Sequence, residues 1–195
     1  MLKPIHLILI GCVIMTNTAN GNDEAAQGLP ADYAKNDALQ KETGDEHKQL
    51  ASRVGNWKVT TKYAAAFGGM EEIGTCTMKL IMNGKFLMSE GQTPMMGTPI
   101  TTLGIFGFDT LSKEYSVTNF NSMYTGTYPM TGKLRKDGII EYHGIMKDAM
   151  SPAGRTYRAE EKYINENKFE VVVFDGTDDK EFHVMTMTYD RAKSK

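Results

Sequence analysis

From Asn56 onward, apolar and polar positions alternate with a period of two, in runs of Val, Ile, Thr, Tyr, Phe and Met broken by short polar turns. That period marks half-buried strands, because successive side chains point to opposite faces of a sheet. Ten runs are predicted as strands: 57–66, 72–82, 85–92, 99–108, 114–121, 126–135, 138–147, 155–164, 168–175 and 180–190. Asn83-Gly84 between two apolar runs predicts a tight hairpin, since a type I′ turn needs positive φ at both central residues. Lys136-Asp137-Gly138, Asn165-Glu166-Asn167 and Asp175-Gly176-Thr177-Asp178 are similar short connections. None is long enough for a crossover helix, so each strand is expected to pair antiparallel with its sequence neighbours. Ten such strands expose two edges unless the sheet closes. The expectation is therefore an all-β, up-and-down β-barrel, with a two-sheet sandwich as the alternative.

Ahead of the strands the pattern changes. Thr43-Gly44-Asp45-Glu46 fits a capping box with Thr43 as the cap, and His47, Leu50, Ala51 and Val54 follow at helical spacing before Gly55. One short amphipathic helix is predicted there. Residues 22–42 are polar and alanine-rich without a sustained period, and read as a disordered leader or linker. In residues 1–21, Lys3, the apolar run Ile5 to Met15 and the small-residue site Ala19-Asn20-Gly21 form a secretory signal. Leu9-Ile10-Gly11-Cys12 is also similar to a lipobox, which would make Cys12 a lipid anchor. Either route exports the chain, periplasmic or secreted, and only lipidation of Cys12 would attach it to a membrane. The division is thus 1–21 signal, 22–42 leader, 43–195 barrel.

Composition narrows the function. Of 195 residues 41% are apolar and 24% charged, which excludes collagen, coiled coil and a wholly disordered chain. A net charge of −2 offers no basic field for nucleic acid. There are two cysteines, and with Cys12 removed or acylated Cys76 has no partner for an intrachain disulfide.

The alternating faces supply a candidate site. On 72–82 the face with Cys76, Met78, Leu80 and Met82 is the better inward one; on 155–164 it is Tyr157, Ala159, Glu161 and Tyr163. Mostly apolar walls with a few polar groups are what a small-molecule cavity needs. The candidate lining is Tyr63, Met78, Met88, Phe106, Tyr115, Asn119, Tyr142, Tyr157, Glu161, Met185 and Met187. Glu161 is the one carboxyl the pattern turns inward, and it calls for a hydrogen-bond partner or a raised pKa. Met95, Met96 and Gly97, between Pro94 and Pro99, are expected to form a mobile lip at one mouth. No nucleophile elbow, zinc-helix motif or P-loop is present, so no catalytic residue and no cofactor is assigned. His183, Met185 and Met187 would share one strand face, a soft donor set for Cu(I), but no second cluster accompanies it and no metal site is assigned. Three readings stay open: a barrel binding a small apolar molecule, a filled envelope barrel with a partner-binding surface, and a barrel enzyme using Glu161 or a Tyr.

Gly55-Asn56-Trp57, after a short helix and opening the first strand, resembles the G-x-W signature of lipocalins and the wider calycin group. That resemblance implies that Trp57 closes one barrel end and that Arg191, in Tyr189-Asp190-Arg191, packs over it. A broader set of blocks resembles the bacterial domain of unknown function 1579: His47-Lys48-Gln49-Leu50, Val54-Gly55-Asn56-Trp57-Lys58-Val59, Asn83-Gly84-Lys85-Phe86-Leu87, Met96-Gly97-Thr98-Pro99, Gly104-Ile105-Phe106-Gly107-Phe108-Asp109 and Thr188-Tyr189-Asp190-Arg191. They run from 47 to 191 and imply a lipocalin-like barrel without implying an activity. Asn119 stands where that family tends to have Trp, which implies a more polar pocket here.

Overall fold

The structure is a computed structural model and describes residues 31–149, 151–176 and 180–193. The signal reading of 1–21, with Cys12, and residues 22–30 of the leader lie outside them. Ten strands follow one another: β1 (Gly55–Tyr63), β2 (Glu71–Ile81), β3 (Phe86–Met95), β4 (Thr98–Asp109), β5 (Glu114–Asn121), β6 (Tyr128–Leu134), β7 (Ile139–Met146), β8 (Arg155–Asn165), β9 (Lys168–Asp175) and β10 (Phe182–Arg191). Each pairs antiparallel with its neighbours in sequence, and β1 pairs with β10, so the sheet is a closed barrel. Closure leaves no sheet edge to cap. The expected up-and-down barrel is the observed fold, and the sandwich alternative falls away.

Register follows the alternation. Trp57, Val59, Thr61 and Tyr63 sit opposite Arg191, Tyr189, Met187 and Met185 across the closing seam. On β2 the even residues Gly74, Cys76 and Met78 are buried between exposed odd ones, while Leu80 lies beyond the core and is exposed. A continuous core forms from Trp57, Val59, Met78, Leu87, Tyr115, Val117, Ile140, Tyr142 and Phe169.

One end of the barrel carries the helices. Here α1 (Tyr33–Lys41) and α2 (Asp45–Ala51) precede β1. The first lies inside the stretch that reads as a disordered leader. It buries no side chain, and an Asp37–Lys41 pair one turn apart supports it. Barrel loops hold its end, with Thr110 Oγ1 donating to the Leu39 carbonyl at 2.7 Å. The second starts one residue later than the capping box implies. Gly44, not Thr43, is its cap, and the Gly44 N–H donates to His47 Nδ1 at 3.1 Å. His47, Leu50 and Arg53 are buried against the barrel, whereas Val54, expected on the apolar face, is exposed.

Two turns differ in detail. Between β2 and β3, positive φ falls on Met82, Asn83 and Gly84, and the Gly84 N–H bonds back to the Ile81 carbonyl. The Lys85 N–H also bonds back to the Met82 carbonyl, so the expected Asn83-Gly84 turn is present and overlaps a second turn centred one residue earlier. The expected lip is a two-residue hairpin turn, Met96-Gly97, whose flanking strands remain paired as far as Met95 and Thr98. It is anchored: the Glu72 carboxylate accepts from the Met96 N–H at 3.2 Å and the Gly97 N–H at 2.5 Å. Strand β1 also ends at Tyr63, where a short 3-10 helix, Ala65–Phe67, takes over.

Candidate functional site

The barrel interior has a floor, a wall and a mouth. Trp57 forms the floor at 1% exposure, its indole N–H donating to the Arg53 carbonyl at 2.8 Å. Arg191 stacks on the outer face of the indole, its guanidinium carbon 4.2 Å from the ring centroid. The same guanidinium donates to the carbonyls of Ser52, Val54 and Glu166, each at 2.8 Å. It therefore ties the helix-to-strand link, the first strand and the β8–β9 turn into one knot. Gly55 passes beneath it with φ of 139°, and a Cβ there would stand 2.5 Å from Arg191 Nη1.

Just inside the floor lies a buried ion pair. Arg53, at 1% exposure, meets Glu161, at 4%; Nη1 donates to Oε2 at 3.0 Å and Nη2 contacts Oε1. Two parallel contacts of this kind are the strong form of the Arg–carboxylate interaction. Burial pushes the Glu161 carboxyl up from the usual range, and Arg53 pulls it back down. Phe169 flanks the guanidinium, and Tyr115 donates to Gln49 Oε1 of α2 at 2.7 Å. The Tyr142 hydroxyl lies against the buried Arg53 guanidinium, within hydrogen-bonding reach of it. Burial raises the pKa of the Tyr142 and Tyr189 hydroxyls and pushes that of Tyr115 up to about 12. All three remain protonated at neutral pH.

Above this layer the wall turns apolar and is not sealed. Phe106, Tyr128, Met146, Val171, Val173 and Met187 pack against the core yet remain half-buried. Val171 sits mid-strand with Glu161 on one side and Met187 on the other, both inward residues. Its exposed surface therefore faces the barrel lumen. The mouth carries paired charges and aromatic rings. Arg155 is held by Asp175 and Asp148, Glu72 lies by Tyr63, and Phe67 stacks on Phe182.

Most of the expected lining shares this interior. Tyr63, Met78, Tyr115, Tyr142, Tyr157 and Glu161 are buried within it, and Phe106, Asn119, Met185 and Met187 are half-buried on inward positions. Asn119 stands opposite Gly104, where a Cβ would lie 3.0 Å from its side-chain oxygen. Met88 is a correction. It pairs with Lys79 and Ile105, next to the fully buried Leu87, so alternation places it on the outer wall beside the Lys79–Glu90 pair. His183 is another. A bulge between His183 and Met185 turns the imidazole outward onto Phe174, away from Met185 and Met187. Among the described residues, no group of three or more His, Cys, Asp or Glu is placed to hold a metal ion.

Arg53 is the residue that the sequence pattern does not single out. The available signal is an inward carboxyl, Glu161, without an inward cation; Arg53 follows Leu50 by three positions, on the same helical stripe. Two further concavities lie outside the wall. A groove of about 780 Å³ crosses the outer faces of β2 to β5, lined by Thr75, Thr77, Gln92, Thr101 and Phe120. A cleft of about 340 Å³ separates the helices from β4 and β5 near His47, Lys85 and Phe108.

Comparison with known proteins adds three findings. The model of a family described as protein of unknown function (DUF1579) matches residues 42–191. No curated protein matches. A solved S-type phycobiliprotein lyase, CPES from Guillardia theta, is similar over 82% of this chain and 98% of its own, with 12% identity and a TM-score of 0.48. At that identity the likeness carries nothing about ligand or reaction.

Proposed function

The chain belongs to the family described as protein of unknown function (DUF1579), and because that description carries no activity, we propose a function from the site itself: a barrel that holds a small, largely apolar ligand in its interior. One observation carries the reading. Val171, Val173, Met187 and Phe106 face inward from the middle of fully paired strands and still retain accessible surface. In a solid core those positions would be as sealed as Leu87 or Ile140. Apolar surface left open inside a closed barrel is surface that a guest would cover, at about 25 cal/mol per Å² removed from water. Glu161 is clamped through both oxygens by Arg53, and this suits it to fixing the floor. The reading includes export, supported by the charged start, apolar run and small-residue site within residues 1–21.

The test is native mass spectrometry of the protein purified from its source, together with titration by the neutral fluorophore N-phenyl-1-naphthylamine. A co-purifying small molecule and a blue-shifted fluorescence increase are expected. Val171→Phe, which fills the lumen, should abolish both while leaving the circular dichroism unchanged. Protein with no adduct and no fluorophore response would overturn the reading.

A further inference from the structure

Away from the lumen, we propose that the cleft between the helices and the barrel is a second ligand site, which takes a small zwitterion of the α-amino-acid type with an apolar side chain. The cleft, of about 340 Å³, lies among Glu42, His47, Lys85, Phe86, Asp109 and Ser116. That volume falls at the small end of the roughly 300–1,000 Å³ typical of ligand pockets. Phe86 and Ser116 alternate with the buried Leu87, Tyr115 and Val117, so both reach the cleft from the outer face of the wall. At its base is a buried donor. His47 is 6% exposed, and its Nδ1 accepts the Gly44 N–H. A neutral imidazole so engaged carries its proton on Nε2, and among the described residues that N–H meets no acceptor. A buried side chain with one free N–H beside a cleft calls for an acceptor from outside the chain.

Charge selects the rest of the guest. Lys85 is half-buried, and its ammonium makes only a long bond, 3.4 Å, to the Gln40 carbonyl. Among the described residues it has no carboxylate partner, and Glu42, in the link between α1 and α2, has no cation. Asp109, the remaining charge of the lining, is taken up by its own turn, accepting from the Leu111 N–H at 2.9 Å and the Ser112 hydroxyl at 3.0 Å. One cation and one carboxylate therefore face the same cleft without pairing with each other. A guest with a single charge satisfies one of them and is repelled by the other, whereas a zwitterion meets both. Its carboxylate accepts from Lys85 and from His47 Nε2–H, and its ammonium donates to Glu42. Phe86 supplies the apolar wall. Its ring lies across Gly107, where a Cβ would stand 2.8 Å from the ring atoms, and the residue is still 38% exposed. That is surface for an apolar side chain to cover.

Amide chemical shifts of isotope-labelled protein at pH 7.5, titrated with L-phenylalanine, 3-phenylpropanoate and 2-phenylethylamine, test the proposal. The three probes share a phenyl body and differ in charge. Phenylalanine is expected to bind at least about fivefold more tightly than either singly charged analogue, the upper worth of one exposed ion pair. Its shifts should fall at Gly44, Phe86 and Ser116 and spare Val171, Val173 and Met187. Lys85→Met should remove most of its advantage over 2-phenylethylamine, and Glu42→Gln most of its advantage over 3-phenylpropanoate. Each variant's own amide spectrum reports whether it is folded. Equal or tighter binding of 3-phenylpropanoate to the wild-type protein makes the cleft a plain anion site and overturns the proposal. Shifts at the lumen residues instead of the cleft, or none at the solubility limit of phenylalanine, overturn it as well. None of these outcomes involves the fluorophore, so the binding barrel stands or falls separately.

Discussion

Arg53 and Glu161 illustrate how one pair of charges can be costly to disturb singly and cheap to replace together. Each is almost completely buried, so removing either partner strands a charge in a medium that solvates it poorly. Arg53→Met is expected to destabilise the protein by about 3–5 kcal/mol, read from urea denaturation. The double substitution Arg53→Met with Glu161→Leu removes both charges and should recover most of that loss. A double variant no better than Arg53→Met would show that the guanidinium contributes through packing on Phe169. Gly55 poses a second residue-scale question, because both its φ and the space above it demand glycine. Gly55→Ala should cost about 2 kcal/mol. Part of that cost should vanish in an Arg191→Ala background, where the collision is absent; a strictly additive double variant would assign it all to backbone strain.

At the scale of elements, helix α2 is a floor plate whose seat depends on a neutral imidazole. His47 accepts the Gly44 N–H through Nδ1 and packs edge-on to Phe108. Burial lowers its pKa below the ordinary value of 6.5, with a smaller opposing effect of Glu46 and a further lowering by Lys85. Between the lowered folded value and 6.5 the unfolded chain binds more protons than the folded one, so stability rises with pH and levels off above about 6.5. His47→Gln keeps an acceptor but cannot titrate, and should flatten that part of the curve between pH 5 and 7.5. An unchanged slope would place the titration elsewhere. The β3–β4 turn supplies a second test. With Glu72→Ala the Met96 and Gly97 amides lose their acceptor and should exchange hydrogen faster, with under about 1 kcal/mol of global change. All ten strands were legible because side-chain alternation runs through most of them, and burial follows it over 73–79 of β2 and 156–162 of β8. What the alternation cannot show is where it slips. The bulge before Met185 reverses His183, and a one-residue phase error on β3 placed Met88 inside when Leu87 holds that position. Arg53 was hidden for a different reason: its role depends on Glu161, 108 positions away.

For the whole molecule, the meander makes one pairing unlike the rest. Nine of the ten strand pairs join neighbours in sequence, and β1 with β10 is the exception. Arg191 reaches 137 positions back to Val54 to fasten it. Loop-closure entropy must be met before so distant a contact returns anything, so the hairpins should form first and the seam last. A contact made after the rate-limiting step affects unfolding and leaves folding alone. Arg191→Ala removes the stacking on Trp57 and three carbonyl hydrogen bonds, a loss of about 2 kcal/mol. That loss should raise the unfolding rate roughly 30-fold while folding stays within about twofold. Trp57 is the single tryptophan and lies under the substituted side chain, so its fluorescence reports the seam directly and far-ultraviolet circular dichroism reports the strands. If refolding slows by the full factor while unfolding is unchanged, the ends meet early. The barrel would then close around its floor before its walls are complete.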